Sequence, residues 1–287
     1  MTESELRFRA LRLQVNTRLL EFFSDPSLEG QRDALRVTFR VTRNLKSEPN
    51  EAEIKLYNLA PDSRAALEQP KTVPVLLEVG YHAEVHSIFN GKMRNAVTMR
   101  DGASIITTLT TGDGDQAVGG GRAFVNVPAK VTPAQLLEFA SKGIQAAGIG
   151  IGNLQAAQGQ ATATFGGPAR TLHGSAERVF TDVCTMNGMN WSIQDGNLQV
   201  LKIGANVKQE AGAVKLSSDT GLIGSPSVDT KGIMKCKALI QPGLLPGLPV
   251  IIDGEFVKGA YRIEEVEFTG DTWDTDWYVE VTARKWS

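Results

Sequence analysis

Residues 53–61 read EIKLYNLAP, followed by VPVLLEVG at 73–80, SIFNGKMRNAV at 87–97, a loop through RDGAS at 100–104, and IITTLTT at 105–111. Near the other end of the chain the same order returns. There IMKCKALIQP (233–242) leads to LPVIIDGEF (248–256), a turn at Lys258 and Gly259, AYRIEEVEFTG (260–270), a loop through DTWDTD (271–276), and WYVEVTARK (277–285). Apolar and polar residues alternate through these pieces with a period of two, the pattern of strands buried on one face. In both passes a proline, Pro74 and then Pro249, stands at the start of the apolar run. A match over several consecutive elements reads as an internal duplication. The competing reading is two unrelated antiparallel barrels.

Working outward from the repeat, Leu35, Val37, Phe39 and Val41 fall on one face of a further strand, and Arg36, Thr38, Arg40 and Thr42 on the other. Asn58 to Asp62 supply a turn before a short helix at 63–67, and residues 82–84 read as a hairpin turn. Asn90 and Gly91 are expected to interrupt the strand that contains them, as a bulge or bend. The cluster GDGDQAVGGG at 112–121 reads as an exposed connection. Beyond it the period changes. Thr132 and Pro133 sit as N-cap and first helical residue before Leu136, Leu137, Ala140 and Ile144, and Val179, Phe180 and Val183 mark a second helix that ends at Asn187 and Gly188. Residues 148–167 carry few large apolar side chains and read as loop or short irregular strand. Asp195 and Gly196 then join two short strands in the strongest hairpin signal of the chain. The fold class expected is mainly β with a small α+β middle domain, the parts being two similar antiparallel β-barrel domains at 1–117 and 205–287 around the α+β domain at 118–204. Three copies of such a chain would present six quasi-equivalent positions around an axis.

Composition narrows the function. With 287 residues and 41% hydrophobic content the chain can bury sizeable cores. Its 30 basic and 32 acidic residues leave a net charge of −2, so no global field draws it to nucleic acid, anionic membrane or a strongly charged substrate. Cys184 and Cys236, far apart and in no metal-binding spacing, suit buried thiols in a reducing cytoplasm. Residues 1–12 mix Glu3 and Glu5 with Arg7, Arg9 and Arg12 and do not read as a secretory signal, and no stretch approaches the ~18 apolar residues of a bilayer span. The expectation is a soluble chain.

The motifs that carry chemistry are incomplete. His82, Glu84 and His86 would share a face of an uninterrupted strand, as a two-histidine, one-carboxylate metal site needs, but the expected turn breaks that face. His173, beside Gly174, Ser175 and Glu177, reads as a histidine at a helix end or on the surface, with no matched nucleophile. Asp113 and Asp115 resemble a calcium loop without its remaining ligands. The GIGIG run at 148–152 has Asn153 where a dinucleotide fingerprint places its third glycine. Trp273, Trp277, Tyr278 and Trp286 form an aromatic group read as core or interface packing, since no basic stripe accompanies it. No catalytic, cofactor-binding or metal residue is assigned, and no enzyme is expected.

The runs AEIKLYNLAPDSRAAL, EVGY with SIFNGKM, TGLIGSP, LIQPGLLPGLPVIID and YRIEEVEFTGDTWDTDWYVEVTAR resemble the baseplate hub proteins of contractile-tailed phages and prophages, the group that includes the T-even hub and its shorter relatives. The resemblance covers nearly the whole chain, most clearly in the two outer β segments, and rests on the order of several motifs. It implies two tube-like domains per chain and a homotrimer forming a pseudo-sixfold ring. The tail tube protein would lie above the ring and the central spike protein below, with peripheral baseplate proteins around it. Double-stranded DNA would pass through without specific binding, and no membrane insertion is implied. Such a protein is made in the host bacterial cytoplasm and resides in the virion tail. The alternatives are a tail-tube extension or initiator protein and, from another class, a tail-associated cell-wall hydrolase. The hydrolase would require paired carboxylates or a zinc site that the sequence does not offer.

Overall fold

The computed structural model describes residues 8–24, 35–69, 72–82, 84–115, 119–163, 168–203 and 213–285. The first β segment holds β1 (Arg9–Val15), β2 (Arg18–Phe23), β3 (Val37–Asn44), β4 (Asn50–Tyr57), α1 (Pro61–Leu67), β5 (Pro74–Tyr81), β6 (Glu84–Asp101) and β7 (Ser104–Asp113). The middle holds β8 (Arg122–Val127), α2 (Pro133–Ala146), α3 (Leu154–Gln158), β9 (Arg170–Ser175), α4 (Ala176–Met186), β10 (Met189–Gln194) and β11 (Asn197–Lys202). The last segment holds β12 (Val214–Ser217), β13 (Leu222–Val228), β14 (Ile233–Leu239), β15 (Pro249–Asp253), β16 (Lys258–Asp271) and β17 (Trp277–Lys285). The protein is mainly β. The expected domain boundaries at 117/118 and 204/205 fall outside the described residues.

The described residues form two compact units, one containing both outer β segments and the other the middle elements together with residues 44–50. In the first unit the outer segments join a single 13-stranded sheet, ordered β13-β14-β17-β16-β3-β4-β7-β6-β5-β1-β2, with β15 on β16 and β12 on β15. The order β3-β4-β7-β6-β5 of the first half recurs as β13-β14-β17-β16-β15 in the second.

The likeness reaches single residues. Pro74 pairs with Lys92 and Pro249 with Arg262. The next residue of the long strand donates its N–H to the carbonyl before the proline in both halves, Met93 to Val73 at 2.8 Å and Ile263 to Leu248 at 3.0 Å. One residue further each long strand bulges against its other neighbour, with Arg94 and Glu264 unmatched in the register. Two unrelated barrels have no reason to repeat a proline, a hydrogen bond and a bulge at one spacing. The copies part at their ends, where β1 pairs β5 antiparallel but β12 pairs β15 parallel.

One hydrophobic core runs beneath the sheet. Ile54, Leu77, Phe89 and Leu109 from one half and Val250, Ile263, Val266, Phe268 and Val281 from the other belong to it. At roughly 1.5–3 kcal/mol for each large side chain fully buried, this core fixes which face of every strand points inward. Asn90 and Gly91 do not break β6, contrary to the sequence expectation: the strand runs through them, and its irregularities sit at Ile88 and Arg94. A Cβ at Gly91 would collide with the Gly112 carbonyl and the Phe89 ring, so this glycine serves close packing within an unbroken strand.

The middle unit is α+β. Thr132 caps α2 through a reciprocal capping box with Gln135, and Ser175 caps α4 by accepting from Arg178 N. Asn187 and Gly188 (φ 63°) end α4. Asp195 and Gly196 both take positive φ in the β10–β11 hairpin, as a type I′ turn requires. Residues 148–167 are not simply loop, because α3 lies there and buries Leu154 and Ala157 in the middle core. Residues 44–50 belong to this unit because Asn50 Nδ2 donates to the Ile193 carbonyl and Gln194 Nε2 to the Asn44 carbonyl, each at 2.8 Å.

Candidate functional site

Alternation places the core residues on one face of the large sheet and the polar partners of the same strands on the other. Registry then lines those partners up. Lys237 on β14 stands opposite Glu280 on β17, and Glu280 opposite Glu267 on β16. Glu267 pairs with Arg40 of β3 at 3.2 Å, and Arg40 stands opposite Glu53 on β4. The row therefore mixes both signs across five strands, and its neighbours Lys235, Glu265, Thr282, Lys55 and Glu51 do the same. Lys55 meets Glu53 at 3.0 Å, and the Lys237 ammonium lies 3.3 Å from the centre of the Tyr278 ring. Such a face has little net field and is shaped to be wetted rather than to grip an anion.

The halves meet where β16 lies against β3. Thr272 N donates to the Val37 carbonyl at 3.0 Å, and Val37 N donates to Thr272 Oγ1 at 2.9 Å. Arg36 closes on Asp271 at 2.5 Å and lies 4.8 Å from the centre of the Tyr57 ring. Burial pushes the Asp271 carboxyl up, but hydrogen bonds from Arg36 and from the N–H groups of Trp273 and Asp274 outweigh it and hold the group below the usual carboxylate range. Arg9 ties the 271–276 loop from β1 by donating to the carbonyls of Asp271, Asp274 and Thr275. Phe39 packs edge-on to Trp277 at 5.4 Å. Among the described residues the sheet path ends at β13 and at β2, β12 pairs only with β15, and residues 95–101 of β6 are unpaired on the side away from β7.

The incomplete motifs are dispersed. His82 occupies the hairpin turn (φ 54°) with its ring against Phe8, while Glu84 and His86 pair with Tyr81 and Val79 on the strand beyond. Among the described residues no three His, Cys, Asp or Glu side chains lie close enough to hold a metal. His173 is on strand β9 opposite Phe124, two residues before the α4 cap, and is exposed, so of the two expected placements it takes the surface one. Asp113 ends β7 and accepts from Gly196 N at 3.0 Å, which gives that carboxylate a structural task. In the GIGIG run, Gly150 bridges to Asn197, and Asn153 exchanges two hydrogen bonds with Val200, its Nδ2 donating to O and its Oδ1 accepting from N. The aromatic residues do not form one cluster. Trp277 is core, Tyr278 lies on the opposite face of the strand, Trp273 is exposed, and Trp286 lies outside the described residues. Cys184 and Cys236 are buried free thiols. Among the described residues no helix is long and apolar enough to cross a membrane.

The β1–β2 hairpin, whose first strand supplies Arg9, is absent from the sequence expectation. Its signal is present, since Leu11, Leu13 and Val15 alternate with Arg12 and Gln14 before a turn at Asn16 and Thr17. The polar row was not legible as a row, because it is assembled from five strands whose registers are set by tertiary pairing.

No protein-family model and no curated protein sequence matches this chain. Solved structures do. The 43 kDa tail protein of prophage MuSo2 from Shewanella oneidensis superposes with a TM-score of 0.60 at 10% identity, over 96% of this chain and 97% of that one. The tail protein from Neisseria meningitidis MC58 gives 0.63 at 9% identity, over 96% of both chains. The E. coli c3393 protein, a type VI secretion component described as structurally similar to the T4 tail proteins gp27 and gp5, gives 0.55 at 13% identity, over 96% of this chain and 77% of that one. At such identity the likeness is one of fold, and it runs nearly end to end: this chain has the fold of these prophage and bacterial tail proteins.

Proposed function

We propose that the chain is a structural protein of a phage or prophage tail, the hub subunit of its baseplate. Three copies form a pseudo-sixfold ring that joins the tail tube protein above to the central spike protein below. Residues 1–117 and 205–287 are its two tube-like β-barrel domains. The 118–204 domain faces peripheral baseplate proteins. The observation that carries this reading is the recurrence of one strand order, proline and bulge in two halves fused edge to edge in a single sheet. A chain that is already a pseudo-dimer turns threefold into nearly sixfold symmetry, which suits a junction between a sixfold tube and a threefold spike. The mixed-charge face lines the bore. A lysine- and arginine-lined bore would hold DNA phosphates through counterion release and delay the genome, whereas the row Lys237, Glu280, Glu267, Arg40 and Glu53 offers no such grip. The ring has no catalytic task.

The test is light scattering on the purified protein, followed by electron microscopy after mixing with the cognate tube protein. Three-copy particles that cap tube ends are expected. Particles of another stoichiometry, or rings whose bore is built from the middle domain, overturn the reading.

A further inference from the structure

We infer that the outer edge of β8 takes an extended segment of a peripheral baseplate protein as an added strand, one that carries an acidic side chain and, two residues away, a large apolar one. This rests on the reading above that the middle domain faces those proteins, and names the surface and the chemistry of the contact.

Register decides which backbone groups of β8 are left over. Arg122 stands opposite Ser175, so Gly121 stands opposite Ala176, and Ala176 N donates to the Gly121 carbonyl at 2.9 Å. Bonded residues alternate along an antiparallel pair, so Ala123, Val125 and Val127 turn their N–H and C=O groups toward β9. Those of Arg122, Phe124 and Asn126 point the other way, where β8 has no second strand among the described residues. Donors and acceptors in this alternation match the backbone of another strand.

Bare edges occur elsewhere in the molecule, and what sets this one apart is its surroundings. Within the middle unit, β11 is covered by Gly150 and by Asn153, which exchanges two hydrogen bonds with Val200. The Ile193 carbonyl of β10 is taken by Asn50, and β9 carries Gly174 (φ 143°) between His173 and Ser175. Along β8 there is no proline, glycine or bulge to blunt the edge.

A groove runs beside that edge. Gly120, Gly121 and Arg122 form one wall, and Gly143, Ala146 and Ala147, at the end of α2, form the other, around about 360 Å³. No residue of β9 or α4 lines it, so it opens on the side to which the unpaired groups point. Walls of glycine and alanine leave room for the side chain that an added strand turns inward, and a Cβ at Gly120 would itself meet nothing.

The outward face of β8 supplies the selectivity. Phe124 is 80% exposed, and Arg122 is exposed two residues before it on the same face. The groove lining includes no carboxylate to balance Arg122. Side chains directly opposite one another on adjacent strands interact, so a strand laid on this edge meets Phe124 with an apolar side chain and Arg122 with an acidic one. The residue between these two points toward Gly143, Ala146 and Ala147. Backbone hydrogen bonds along the edge hold such a segment, and its alternate side chains are what the site distinguishes.

The probes are fluorescein-labelled, overlapping synthetic peptides that cover the cognate peripheral baseplate proteins, tube protein and spike protein. Each is titrated with the full chain and followed by fluorescence anisotropy. A peptide from a peripheral protein, with an acidic and a large apolar residue two positions apart, is expected to bind. Hydrogen exchange at the amides of Phe124 and Asn126 should slow when it does. Phe124→Ser should weaken binding by about thirtyfold, as for the central anchor of an interface. Asn126→Pro removes an N–H that β9 does not use, and should weaken it by about tenfold. Both variants should keep the circular dichroism of the wild type. Arg122→Glu should lose the peptide and regain it when the peptide's acidic residue is replaced by lysine. Binding that survives Phe124→Ser and Asn126→Pro, or amides that exchange as fast as before, overturns the strand addition. If no peptide binds but the full chain co-elutes with an intact peripheral protein, the β8 site falls and the placement of the middle domain stands. A bound peptide that comes from the tube or spike protein overturns the partner and that placement together. If neither peptides nor intact peripheral proteins bind, both readings fall.

Discussion

Replacing Gly270 with alanine puts a methyl group into the seam between the two halves, where the Phe39 ring already lies. The added Cβ would fall well inside contact distance of Phe39 Cζ and Cε1 and 3.0 Å from Trp277 Cε3. Neither ring has room to retreat, because Phe39 is 3% and Trp277 2% exposed and the two pack edge to face. Overpacking of this kind costs about 1–3 kcal/mol, and two confined rings put Gly270→Ala in the upper half of that range. At ~2–4 °C per kcal/mol for a domain of this size, the melting temperature of the sheet unit should fall by about 4–12 °C. Phe39→Leu alone gives up the edge-to-face contact and part of the buried ring, about 1–3 kcal/mol. In the double variant the methyl group occupies the space the ring vacated. Its loss should therefore be smaller than the sum of the single losses by about 1 kcal/mol or more. Calorimetry of the four proteins measures this cycle on the transition of the sheet unit. Strict additivity, or a Gly270→Ala protein within ~0.5 kcal/mol of wild type, would refute the packing described for the seam.

Asp271→Asn should cost about 1–3 kcal/mol at neutral pH, discounted because the Arg36 side chain is one-third exposed. Since the folded-state carboxyl lies below its usual value, the stabilisation is complete above about pH 4 and is lost as pH falls through the lower folded value. Urea titrations should therefore show wild type and variant converging in acid, and a gap that widens there contradicts the assignment. Gly152→Ala forces a Cβ into the Leu198 carbonyl at a φ of 46°, so it should lower the stability of the middle unit by more than ~2 kcal/mol, read from Trp191 fluorescence. Burial pushes the Cys184 and Cys236 thiols up to about 12, so a disulfide-exchange reagent at pH 8 should modify neither until denaturant is added; rapid modification of the native protein would show that they are accessible.

Much of this molecule is written locally. The period-two runs around Ile54, Val79, Val266 and Val281, the Thr132 and Ser175 caps, and the Asp195–Gly196 turn each depend on residues within a few positions of one another. Their reading therefore survives without a structure. The order of the repeat was legible for the same reason, because each unit is a chain of local patterns. What the sequence left open is how the edges meet. The contact of β16 with β3 joins residues more than two hundred positions apart through backbone groups that every residue carries, and the side chains that seal it, Arg36 with Asp271 and Phe39 with Trp277, have no spacing to betray them. The passage of β6 through Asn90 and Gly91 was likewise decided by the neighbouring strands, whose hydrogen bonds override the weak local preference of glycine. The charges on the polar face could be counted in the sequence, but their order in space could not. Lys237, Glu280, Glu267, Arg40 and Glu53 become one row only when five registers are fixed together, and those registers follow from burying the opposite face of every strand.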